Sequence, residues 1–123
     1  MAEKAQQLLD RTFWFGVNVL KFLRKLPDNY IDRVPKGQVA RSSISIGANY
    51  EEAQGAVSKR DFTNKISICF KEARETVYWL RILKELFPEE GYKKDFLTLI
   101  SEGTELKKIF AAIKKSSSEN PNR

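Results

Sequence analysis

Apolar residues recur along this chain at alternating spacings of four and three, and nowhere with a sustained period of two. That spacing puts side chains on one face of an α-helix. Four segments carry it. In the first, from about Glu3 to Leu26, the stripe is Leu9, Phe13, Gly16, Leu20 and Leu23, and Pro27 stops it. Residues 28–34 read as a connection. The second segment begins near Pro35, a residue tolerated in a first helical turn. It runs to about Ala53 with Val39, Ser43, Ile46, Tyr50 and Ala53 in line. Ala40, Gly47 and Ala48 leave one side thin enough for a neighbouring helix to approach closely. A mid-helix glycine costs about 1 kcal/mol against alanine, so Gly47 calls for a packing reason. Gly55 stands where a C-terminal cap is expected.

The third segment opens with Ser58 and Asp61, spaced like a capping box. Phe62, Ile66, Cys69, Ala73, Thr76, Leu80, Leu83 and Phe87 hold the pattern until Pro88. The fourth carries Tyr92, Phe96, Leu99, Gly103, Leu106, Phe110 and Ile113. Residues 116–123 are polar, contain Pro121 and lose the periodicity, which reads as a disordered tail. Four helices with short connections predict an all-α fold, an antiparallel up-down-up-down four-helix bundle over residues 1–115.

Two helices have more apolar residues than one stripe requires. On the first, Leu8, Phe15, Val19, Phe22 and Leu26 form a second stripe about 110° from the first. On the third, Ile68, Trp79, Ile82 and Leu86 do the same, with Glu72 and Glu75 among them. These read as a subunit interface of a homo-oligomer carried by Phe15, Val19, Phe22, Ile68, Trp79 and Ile82. A wide core face is the alternative. The third helix also has a basic face. Arg60, Asn64, Ser67, Lys71, Arg74, Tyr78 and Arg81 share the side opposite its core stripe, with no acid among them. Four cations and one ring in line could follow phosphates and stack one base. An ordinary solvated face is the alternative.

Composition narrows the chemistry. The 123 residues suit one domain, and the net charge of +6 makes a polyanion a candidate partner. Lys36 and Arg41 add to that total without a place beside the basic face. There is one cysteine, Cys69, and no histidine. Zinc sites and the commonest general base are thereby removed, which argues against an enzyme, a metal site and a cofactor. Diiron bundles need Glu-x-x-His motifs, so the Glu72-x-x-Glu75 pair does not make one. Apolar runs are too short to cross a bilayer, and Glu3, Lys4, Gln6 and Gln7 break up any signal-peptide core, so the cytoplasm is the expected location. Asn49 and Glu52 lie three apart on the second helix and, with Glu75, could form a polar network that fixes register.

At these residues the chain resembles a known family. Ser45-Ile46-x-Ala48-Asn49-x-x-Glu52 resembles the signature of the four-helix bundle proteins encoded in 23S rRNA intervening sequences, the S23 family. Lys71-Glu72-Ala73-Arg74-Glu75-Thr76 and Tyr78-Trp79-Leu80-Arg81 resemble one branch of it, and the likeness runs from about Leu9 to Ile113. Many relatives have proline at the position of Gly47 and glycine at that of Ala53. The resemblance implies a four-helix bundle assembled as a homo-oligomer, a ring of five. It also implies kinship with basic accessory proteins that work with a reverse transcriptase and nucleic acid. Asn49, Glu52 and Glu75 carry over as structural motif positions. Two functions are thus expected: binding of RNA or another nucleic acid through Arg60, Lys71, Arg74, Tyr78 and Arg81, or an adaptor role toward a protein partner.

Overall fold

Each apolar stripe folds as a helix. The computed structural model describes residues 3–119, in which the helices are α1 (Glu3–Leu23), α2 (Arg33–Gln54), α3 (Lys59–Leu86) and α4 (Glu90–Glu119). Ser58 caps α3 by accepting from the Asp61 amide at 3.0 Å. Asp61 returns the contact one residue earlier than a capping box does, accepting from the Val57 amide at 3.2 Å. Neighbours in sequence are neighbours in space. α1 packs on α2, α2 on α3 and α3 on α4, while α1 and α4 approach least. Cross-helix partners rise in number along one helix as they fall along the next: Arg41 with Glu72, Cys69 with Ile46, and Lys65 with Glu52. The bundle is antiparallel and up-down-up-down, as the pattern predicts.

The core stripes of α2, α3 and α4 lie inward as expected. Val39, Ile46, Ile66, Cys69, Leu80, Leu83, Phe96, Leu106 and Phe110 are buried. Gly47 has its packing reason. A Cβ there would stand 3.2 Å from Thr12 Oγ1 and 3.4 Å from the Thr12 carbonyl carbon, so α1 and α2 meet closely at this point.

On α1 the outcome is the wide core face: Leu9 and Gly16 of the first stripe are buried, Leu20 and Leu23 are half-buried, and the second stripe is buried beside them. Phe15, Val19 and Phe22 were expected at a subunit interface, yet they are 2%, 0% and 3% exposed and fill the core of the single chain. Phe13, expected in the core, is 61% exposed. Thr12 completes the second row, so that Leu8, Thr12, Phe15, Val19, Phe22 and Leu26 make an unbroken 4-3 spacing. Thr12 Oγ1 lies 2.9 Å and 3.1 Å from the carbonyl oxygens of Leu8 and Leu9. A hydroxyl bonded within its own helix can be buried at little cost.

The same effect lengthens α4. Ser117 continues the row of Phe110 and Ile113, is buried, and shares a hydrogen bond with Thr63 of α3. The helix therefore runs to Glu119, past the expected limit at Lys115. The rest of the expected tail, residues 120–123, lies outside the described residues.

The placing of Phe13 and Phe15 on α1 is testable by denaturation. Phe15→Ala removes a buried ring and is expected to cost about 3–5 kcal/mol. Phe13→Ala, at an exposed site, is expected to stay within about 0.5 kcal/mol of the parent. Equal losses would contradict this assignment of faces.

Candidate functional site

The outer face of α3 carries a row of cations on a single element. The helix is 28 residues long, about 42 Å. Arg60, Asn64, Lys71, Arg74, Tyr78 and Arg81 are exposed along it, with Ser67 half-buried and bonded to the Thr63 carbonyl. The core stripe holds α3 in this rotation. Among the described residues, Arg60, Lys71, Arg74 and Arg81 form no ion pair. Elsewhere Arg11 pairs with Glu102, Arg33 with Asp28 and Lys65 with Glu52, while Lys21, Arg24, Lys93, Lys94, Lys107 and Lys115 also form no ion pair among the described residues and are spread over α1, α4 and the α1–α2 connection. Tyr78 is 55% exposed, and its ring meets Trp79 edge-on at 5.2 Å.

The seam between α2 and α3 holds the motif residues, and it divides them. Asn49 donates to the Ser45 carbonyl at 2.9 Å and lies 3.0 Å from the Ser45 hydroxyl, within its own helix. Glu52 accepts from Lys65 at 2.9 Å. Glu75 accepts from Arg41 at 2.9 Å. Of the Asn49–Glu52–Glu75 network expected from sequence, Asn49 and Glu75 are linked indirectly, through Ser45, Glu72 and Arg41, while Glu52 pairs separately with Lys65.

The central member is a residue that sequence reasoning could not place. Arg41 donates to Glu72 at 2.7 Å as well as to Glu75. The Glu72 side chain is 8% exposed, while that of Arg41 is half-exposed. Burial pushes the Glu72 carboxyl up, but the Arg41 guanidinium and the Ser45 hydroxyl outweigh it and hold the group below the ordinary carboxylate value. A signal for Arg41 was present. Two glutamates three apart inside an apolar stripe require a cation from the antiparallel neighbour.

The remaining expected residues are dispersed. Trp79 packs partly buried against the core, Ile82 is half-buried, and Ile68 is 38% exposed. Cys69 lies in the core, where its thiol donates to the Ile46 carbonyl at 3.5 Å. Burial pushes that thiol up to about 12, so it stays protonated. Among the described residues no group of acids, histidines and cysteines could hold a metal ion. Among the described residues no helix is long and apolar enough to cross a membrane. Opposite α3 lies an apolar surface that the sequence reading missed. Phe13 and Trp14 of α1, Ile44 of α2 and Leu97 of α4 are each about half-exposed or more.

The Arg41–Glu72 pair predicts a pH-dependent stability. Arg41→Ala leaves a nearly buried carboxylate unmatched and is expected to cost about 1–3 kcal/mol at neutral pH. Glu72 is held below its ordinary value of 4.5, so its contribution is present above that value and is lost as pH falls through the lowered one. Urea unfolding should show the gap between parent and variant narrowing as the solution is acidified. A gap that is constant with pH would contradict the pair.

Residues 4–112 match the family described as "23S rRNA-intervening sequence protein". A crystal structure from Bacteroides thetaiotaomicron, of a protein with unknown function from the S23 ribosomal protein family, is 33% identical to this chain. The match covers 91% of this chain and 98% of that one, with a TM-score of 0.80. A comparison with curated proteins gave no match. The shared fold, the identity over most of both chains and the Ser45–Glu52 signature agree: this chain belongs to the 23S rRNA-intervening sequence protein family.

Proposed function

We propose that this protein is a non-enzymatic, homo-oligomeric bundle that binds RNA through the outer face of α3. The observation that carries this reading is the unmatched charge of Arg60, Lys71, Arg74 and Arg81 on one exposed face. Most other surface arginines have a carboxylate beside them. Four unmatched cations on one straight helix raise the local potential and suit a partner that supplies a row of negative charges. The spacing from Arg60 to Arg81, about 32 Å, matches a run of several phosphates better than one small anion. The family's description names an rRNA context, which agrees with an RNA partner.

Assembly is the second part of the reading. With Phe15, Val19 and Phe22 occupied in the core, the contact between copies falls to Phe13, Trp14 and Ile44, with Leu97 at the margin. Exposed aromatic residues in one patch are the usual mark of a protein contact. The ring of five implied by the family resemblance is the expected state. In a ring each copy repeats the α3 face, and weak phosphate contacts add into avid binding. The same apolar surface favours the second reading, an adaptor for another protein.

Two measurements test this. Neutralising Lys71, Arg74 and Arg81 to glutamine should weaken RNA binding across sequences. It should also lower the slope of log affinity against log salt by about 2, from about 0.7 per phosphate contact. Unchanged binding would reduce the face to a solvated surface and leave the adaptor. Replacing Phe13 and Trp14 with serine should give smaller particles of unchanged helicity by light scattering. A parent that scatters as a monomer at micromolar concentration would contradict assembly.

A further inference from the structure

We infer that the C-terminal half of the α3 face holds an unpaired base, and therefore that single-stranded RNA is the form bound in preference to duplex. The inference rests on the RNA-binding reading and adds to it a site for the base. Beside Tyr78 there is a shallow open groove of about 410 Å³, lined by Tyr78, Arg81, Ile82, Lys84, Glu85 and Leu86. Its apolar side is made by Ile82 and Leu86, the latter 46% exposed. Its rim is charged. The Glu85 carboxylate lies 3.7 Å from Lys84, which offsets its repulsion of a phosphate. Arg81 has no ion pair among the described residues.

Three features of the groove favour a base with its phosphates. Tyr78 is more than half exposed, and the edge-on contact with Trp79 limits the ways its ring can turn. A flat, exposed ring next to an aliphatic wall offers a base two apolar surfaces at once. Arg74 and Arg81 lie four residues before and three after Tyr78, on the same face and about 10 Å apart along the axis. A base on Tyr78 would have its neighbouring phosphates between these two guanidinium groups. A duplex cannot use this arrangement. Its bases are stacked inside and only its phosphates and sugars reach a convex helix. Stacking on an aromatic ring is open to the exposed bases of a single strand.

The test compares the parent with Tyr78→Ala and Tyr78→Phe, using a fluorescent single-stranded uridine oligonucleotide and an RNA duplex of equal length. Tyr78 is exposed, so neither variant should disturb the fold, and circular dichroism checks this. The parent is expected to bind the single strand more tightly than the duplex. Tyr78→Ala should weaken single-strand binding about tenfold or more while leaving duplex binding unchanged, and Tyr78→Phe should restore it. Single-strand binding by Tyr78→Ala equal to that of the parent, or a duplex held as tightly as the single strand, would overturn the inference and leave the RNA-binding reading standing. A parent that binds neither RNA would overturn both.

Discussion

A carboxylate in a bundle seam has to find a cation, and Glu72 finds Arg41 at 2.7 Å. An unmatched charge at that depth would cost about 1–3 kcal/mol, so the pair restricts how α2 and α3 can slide and turn against each other. Further contacts along the seam demand the same register. Thr76 Oγ1 lies 2.7 Å from both the Ser42 hydroxyl and the Glu72 carbonyl, the Cys69 thiol meets the Ile46 carbonyl, and Lys65 reaches Glu52. A slip of one residue would turn the faces of α3 by about 100°. Glu72 would lose Arg41, and arginines would turn toward the core. The outward direction of the basic face is thus a consequence of the seam.

The surface divides along the same lines. Acids that could have neutralised the outer face of α3 are used elsewhere: Glu72 and Glu75 on Arg41, Glu52 on Lys65, Glu102 on Arg11. Glu85, next in the row after Arg81, lies beside Lys84, and the charged residues of the face from Arg60 to Arg81 are all cations. Since α1 packs on α2 and α4, it lies diagonally across the bundle from α3. Its exposed aromatic pair, Phe13 and Trp14, therefore points away from the basic face. A contact between copies through α1 and a polyanion on α3 do not compete for surface. That separation leaves both surfaces open for the proposed assembly and RNA contact.

Helix count, order and three core stripes were legible because their members hold the 4-3 spacing, with Ser43 and Thr76 in line among the apolar residues. On α1 the core face is wider than one stripe. Thr12 and Ser117 occupy core positions, and a hydroxyl that bonds to its own helix or to a neighbouring hydroxyl is buried as easily as alanine. The second row of α1 is visible in the sequence but reads as a subunit contact, because one stripe is enough for a bundle core, and Ser117, which reads as polar, hides the last turns of α4. The basic face was legible because it lies on a single helix, where spacing alone fixes which residues are neighbours. Arg41 was not, because its partners lie 31 and 34 residues away. The Tyr78 groove needed the structure too, since its apolar wall comes from residues that sequence assigned to a subunit contact.

The central claim is that RNA meets the outer face of α3, and photo-crosslinking tests it most directly. Both candidate faces carry exposed aromatic side chains, Tyr78 on α3 and Phe13 with Trp14 on α1, so neither is favoured by the chemistry of the crosslink. The account predicts that single-stranded RNA, irradiated with the parent protein and mapped by mass spectrometry, crosslinks within residues 60–81 and at Tyr78 above all. Crosslinks confined to Phe13 and Trp14, with the α3 peptides unmodified, would contradict it.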